Sequence, residues 1–133
     1  MNFLKLSIAV LFLSLPAMSD KTKAKTECEN DTRYEEVSLT DLKDLNNKKE
    51  VFLVDVNNKE SYAERHIGEA IHYASVKEEF SKKLPAKKDA LIVAYCGGPK
   101  CVAWKQAAKA ACALGYTNVK HFKGGISGWK KEG

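Results

Sequence analysis

The chain has 133 residues, 44% hydrophobic and 29% charged, with 22 Lys and Arg against 17 Asp and Glu for a formal charge of +5. That length holds one compact domain, and the composition excludes a disordered tail, a coiled coil and a collagen-like repeat. The basic residues are interspersed with acids, which suits small anions or an anionic surface better than a nucleic-acid groove.

Residues 2–19 read NFLKLSIAVLFLSLPAMS. Lys5 precedes the apolar run Leu6–Leu15, and Ala17-Met18-Ser19 fits a small-x-small cleavage rule with the cut before Asp20. The run is only about half of the ~20 residues a helix needs to cross a bilayer. Residues 1–19 are therefore expected to form a secretory signal peptide, not a stable membrane anchor. The exported chain is then periplasmic or secreted, in a compartment where disulfides form. Residues 20–35 follow as a polar linker without apolar periodicity, and they carry Cys28. Its pairing is open at this level.

From residue 36 to 133 the pattern becomes that of a folded domain. SLTDLKDL places Leu39, Leu42 and Leu45 at helical spacing, with Ser38 or Thr40 as N-cap. VFLVDV (51–56) is a β-branched run of the kind buried on both faces of a parallel sheet. NKESYAERH predicts a short helix, AIHYA a brief strand and VKEEFSKKL another helix. ALIVAY (90–95) predicts a second buried strand, and residues 101–114 the longest helix, ended by Gly115. A last strand is expected over 118–122, with GGISGWKK as a closing turn. Alternating strands and helices imply an α/β fold, a parallel sheet covered on both faces. Functional crevices of such sheets lie beyond the carboxyl ends of the strands.

The sequence puts a cysteine there. Cys96 directly follows ALIVAY and opens the loop Cys96-Gly97-Gly98-Pro99-Lys100-Cys101. Paired glycines let successive N–H groups curl inward into an anion-binding nest, and an adjoining helix N-terminus adds its dipole. Lys100 adds a full positive charge. Together these favour thiolate over thiol and mark Cys96 as a nucleophile. A strand-end cysteine followed by an ordinary glycine turn would explain neither the lysine nor the helix start. The other residues able to carry chemistry read as structural. His66 falls in a turn, and His72 and His121 in or beside strands. Cys112 lies among alanines as a buried small hydrophobe, and Lys82-Lys83 and Lys87-Lys88 as solvated surface. No close Cys pair suggests a metal site, and no cofactor is expected.

These stretches resemble a single-domain rhodanese, a sulfurtransferase module. LVDV with Asp55, ESYAERHIGEAIH around His66-Ile67 and Ala70, VAYCGGPKC, AAKAACALGYTNV and GGISGW carry the likeness. It implies a three-layer fold with a five-stranded parallel sheet. It further implies a six-residue loop beginning at the nucleophile, with Gly97, Gly98, Pro99, Lys100 and Cys101 binding substrate through backbone and charge. The implied reaction is a double displacement. Cys96 takes the outer sulfur of thiosulfate or a similar donor, holds it as a persulfide, and passes it to cyanide or a thiol. Partners are small sulfur anions and thiol acceptors, not nucleic acid. Related phosphatases end a longer loop in an arginine; Val102 stands there, so an oxyanion clamp is missing. The family often has Arg where Asn57 stands, and Arg or Thr where Cys101 stands. Cys101 either starts the helix or acts as a resolving thiol that attacks a Cys96 persulfide and expels hydrosulfide. Two other readings of the chain are a thiol–disulfide oxidoreductase using Cys96 and Cys101, and a non-catalytic binding module on the same fold.

Overall fold

The computed structural model describes residues 34–132. The expected signal peptide, the linker as far as residue 33 and Cys28 lie outside them. Five strands form one sheet: β1 (Glu35–Glu36), β2 (Phe52–Asp55), β3 (Ile71–His72), β4 (Ile92–Tyr95) and β5 (Val119–His121). Their spatial order is β1-β5-β4-β2-β3, and every neighbouring pair is parallel. The helices are α1 (Leu39–Asn47), α2 (Lys59–Glu64), α3 (Tyr73–Val76), α4 (Phe80–Lys83), α5 (Trp104–Ala113) and α6 (Gly125–Glu132).

The period-2 alternation of a strand explains how one short run feeds two cores. On β4, Ile92 and Ala94 point with Cys96 into a layer built from Tyr73, Phe80, Trp104, Ala107, Ala108 and Ala111. Val93 and Tyr95 point the other way, onto Leu42, Ile67, Phe122 and Ile126. The sheet is thus packed between α3, α4 and α5 on one face and α1 and α6 on the other. Alanines on α5 let that helix lie close to the strands. Gly115, at φ +97°, ends it and donates its amide to the Cys112 carbonyl at 2.9 Å. At the start of α1 it is Ser38 that caps, accepting from the Asp41 amide at 3.1 Å.

Buried polar groups on the α1 side are paired. Asp55 and Tyr95 are both fully buried. The Tyr95 hydroxyl donates to Asp55 Oδ2 at 2.8 Å and accepts from the Ile67 amide at 2.9 Å. The second carboxylate oxygen, Oδ1, accepts from the Asn57 amide at 2.7 Å. This ties the carboxyl end of β2 to that of β4.

Several expected elements differ in extent. The closing GGISGWKK is the start of a helix, α6, rather than a turn. The longest helix begins at Trp104 and not at residue 101. VKEEFSKKL is broken into the end of α3, a 3-10 turn at Lys77–Glu79 and α4. The edge strand β1 falls at the end of the expected linker. Among the described residues, no helix is long and apolar enough to cross a membrane.

Candidate active site at the end of the central strand

Because β4 lies in the middle of the sheet, its carboxyl end is flanked by the ends of β2 and β5. Cys96 leaves the strand there and is 2% exposed. The chain then runs outward: Gly97 and Gly98 are half-buried, Pro99 and Lys100 exposed, Cys101 half-buried again and Val102 64% exposed. A disulfide joins Cys96 to Cys101, with their Cα atoms 6.2 Å apart. All six positions of the expected loop are therefore in one closed ring.

The ring is braced from behind by α6. The first amides of any helix lack partners within it. In α6 the Ile126 amide donates to the Cys96 carbonyl at 2.9 Å, and the Ser127 amide donates to the Gly97 carbonyl at 3.0 Å. With the loop carbonyls held outward in this way, the amides of Gly97, Gly98 and Lys100 donate to no backbone carbonyl among the described residues. At two of the expected positions no amide is available in this arrangement. Pro99 has no N–H, and the Cys101 amide is spent on a turn to the Gly98 carbonyl at 3.1 Å. Cys101 therefore belongs to the loop, not to the helix start; the helix-start reading is corrected by Pro99 and by this turn, which delay α5 to Trp104.

Sequence reasoning noted Asn57 only as a departure from the family pattern, yet the fold puts it beside the ring. A Cβ on Gly97 would lie 3.6 Å from Asn57 Oδ1. Its backbone is clamped: the amide donates to Asp55 Oδ1, and the carbonyl accepts from His72 Nε2 at 2.7 Å. The side-chain Nδ2 is buried without a hydrogen-bond partner among the described residues. A strand-end asparagine following a buried aspartate was the available signal.

The three histidines have packing or hydrogen-bonding roles. His66 stacks on Tyr62 with ring centroids 4.1 Å apart, and His72 holds Asn57. His121 stacks on Trp104 at 3.6 Å. Burial, together with the charges of Lys123 and Lys105, pushes the His121 pKa down to about 4. On that side of the ring a groove of about 280 Å³ is lined by Tyr34, Pro99, Cys101, Trp104, His121 and Lys123 among others. Cys112 is buried as expected but is disulfide-bonded, not a plain thiol. Lys88 is exposed, as expected, and also donates to the Leu114 carbonyl at 3.0 Å and sits 4.2 Å from the Tyr116 ring centre.

Comparison with known proteins agrees with this architecture. A family model described as a rhodanese-like domain matches residues 38–132. The chain is 29% identical over 98 residues to a thiosulfate sulfurtransferase, GlpE, of Coxiella burnetii, covering 73% of this chain and 88% of the relative. It is 30% identical over 107 residues to the mouse thiosulfate sulfurtransferase/rhodanese-like domain-containing protein 3, covering 70% and 66%. Among solved structures, the human single-domain sulfurtransferase TSTD1 superposes with a TM-score of 0.59 at 26% identity, covering 73% of this chain and 96% of that one. The match spans both the strand that delivers Cys96 and the helix that braces it, and the chain belongs to the rhodanese-like domain family.

Proposed function

We propose that the chain is a sulfurtransferase that moves sulfane sulfur from thiosulfate or a similar donor to a thiol or cyanide acceptor through a persulfide on Cys96. The observation that carries this reading is the placement of Cys96: it follows the central strand and opens a loop whose amides at Gly97, Gly98 and Lys100 have no backbone partner among the described residues. Those amides can hold the negative charge of a thiolate and of the persulfide that follows it, and Lys100 adds charge at the rim. The names of the relatives, thiosulfate sulfurtransferases at modest identity, support the same class. Chemistry starts from the reduced loop, since a disulfide-bonded Cys96 cannot attack.

Thiol–disulfide exchange by Cys96 and Cys101 is a second reading, and the bond between them is in its favour. The two readings separate on one measurement. After reduction and exposure to thiosulfate, Cys96 should gain the mass of one sulfur atom in Cys101→Ser, where no second thiol can displace it, and Cys96→Ser should abolish transfer to cyanide while the fold persists. Full activity in that variant would defeat the sulfurtransferase assignment. We further propose that the protein works outside the cytoplasm. The leader-like sequence at residues 1–19 supports this, as do the disulfide bonds at Cys96, Cys101 and Cys112.

A further inference from the structure

Cys96 and Cys101 occupy unequal surroundings. Cys96 is almost wholly buried under its own loop, whereas Cys101 is half-buried and opens onto the groove floored by Trp104 and His121. Lys105 and Lys123 border that groove. Cys101 is also the sulfur that the fold holds within bonding reach of Cys96.

We propose that Cys101 converts the sulfur carried on Cys96 into hydrosulfide, so that the protein reduces sulfane sulfur at the expense of an external dithiol. The proposal rests on the Cys96 persulfide of the preceding section. The Cys101 thiolate attacks Cys96 Sγ. The Sγ–Sγ bond forms as the bond from Cys96 Sγ to the outer sulfur breaks, and the outer sulfur leaves as hydrosulfide with the proton Cys101 gave up. The sulfane sulfur is reduced by two electrons and the cysteine pair is oxidised to the observed disulfide.

A small or protein dithiol then enters the groove and attacks Cys101, the accessible sulfur. Cys96 departs as a thiolate, which the loop amides make the better leaving group. The second thiol of the reductant closes its own disulfide and releases Cys101. The net reaction turns a sulfane sulfur and a dithiol into hydrosulfide and a disulfide.

The test uses reduced protein freed of reductant and mixed with excess thiosulfate, with no thiol added. The proposal expects sulfite and hydrosulfide in equal amounts, a chain lighter by two hydrogens, and a Cys96–Cys101 bond in the peptide map. In Cys101→Ser the ratio of hydrosulfide to sulfite should fall by at least about tenfold, with the extra sulfur retained on Cys96. Wild-type protein that releases sulfite but keeps the added sulfur and yields no hydrosulfide overturns the proposal while leaving the transferase reading standing. Equal hydrosulfide ratios in the two proteins overturn it as well. No sulfite from the wild type removes the persulfide step, and both readings fall.

Discussion

Gly125 lies so close to Cys96 that a side chain on it would collide with the loop. A Cβ built on Gly125 falls 2.5 Å from the Cys96 carbonyl oxygen and 2.7 Å from the Gly98 nitrogen. Its φ of +60° adds a second reason for glycine there. The approach lets the Ile126 and Ser127 amides reach the loop carbonyls.

Gly125→Ala should therefore damage both stability and chemistry. The left-handed backbone and the collision together should cost about 2 kcal/mol or more, and the sulfite burst from thiosulfate should be lost. Gly115→Ala is the control. It has φ +97° but meets nothing nearer than Lys88 Cδ at 4.0 Å. That variant should lose stability in a denaturant titration yet keep its burst. Equal bursts in the two variants would show that the bracing does not matter.

Tyr95→Phe removes the donor to Asp55 Oδ2 and the acceptor for the Ile67 amide, in a fully buried site. Leaving those two buried groups unpaired should cost about 2–3 kcal/mol. Burial is also the main reason the Tyr95 phenol is held far above its usual pKa of 10.0. The folded protein keeps a proton that the unfolded chain gives up above pH 10, so stability should fall as pH rises beyond that point. Alkaline titration of unfolding free energy should show a smaller decline in the Phe variant.

His121 acts in the acid range. Burial and the neighbouring Lys123 and Lys105 lower its pKa from 6.5 to about 4. Between these values the unfolded chain binds a proton that the folded one refuses, so stability should be full above pH 6.5 and fall as pH drops towards 4. The loss should be on the order of 2–3 kcal/mol. Fluorescence of the stacked Trp104 should report the protonation directly, and His121→Gln should flatten the stability profile over the same range.

Processing can be read from the N-terminus. Protein recovered from the cell envelope should begin at or near Asp20, because Ala17-Met18-Ser19 presents small residues to a signal peptidase. An envelope-derived chain still starting at Met1 would remove the leader assignment.

The elements that were legible in the sequence are those whose side chains declare their burial. VFLVDV and ALIVAY became β2 and β4 because a central parallel strand is covered on both faces and reads as a continuous apolar run. β1 was hidden because Glu35 and Glu36 are exposed at the sheet edge, so no hydrophobic pattern marks them. α6 was hidden because Gly124, Gly125 and Gly128 argue against a helix. It forms through tertiary contacts, the amides bonded to the Cys96 loop and the burial of Ile126. The nucleophile candidate and its glycines could be read from local order. The missing donor at Pro99 was legible too, whereas the loss of the Cys101 amide was not, because it depends on the turn it closes to the Gly98 carbonyl. Asn57 stayed unmarked because its place beside Gly97 comes from strand pairing between β2 and β4.

The dependence of the Cys96 loop on α6 also sets the order in which the site can be assembled during synthesis. Cys96 and Cys101 leave the ribosome more than twenty residues ahead of the helix that holds their carbonyls. Until β5 has paired with β4 and Gly125 has settled against the loop, Cys96 sits on an unsupported turn. A nascent chain can thus hold part of its sheet while Cys96 still lacks the backbone support that α6 supplies, and the proposed sulfur chemistry would wait for the last helix.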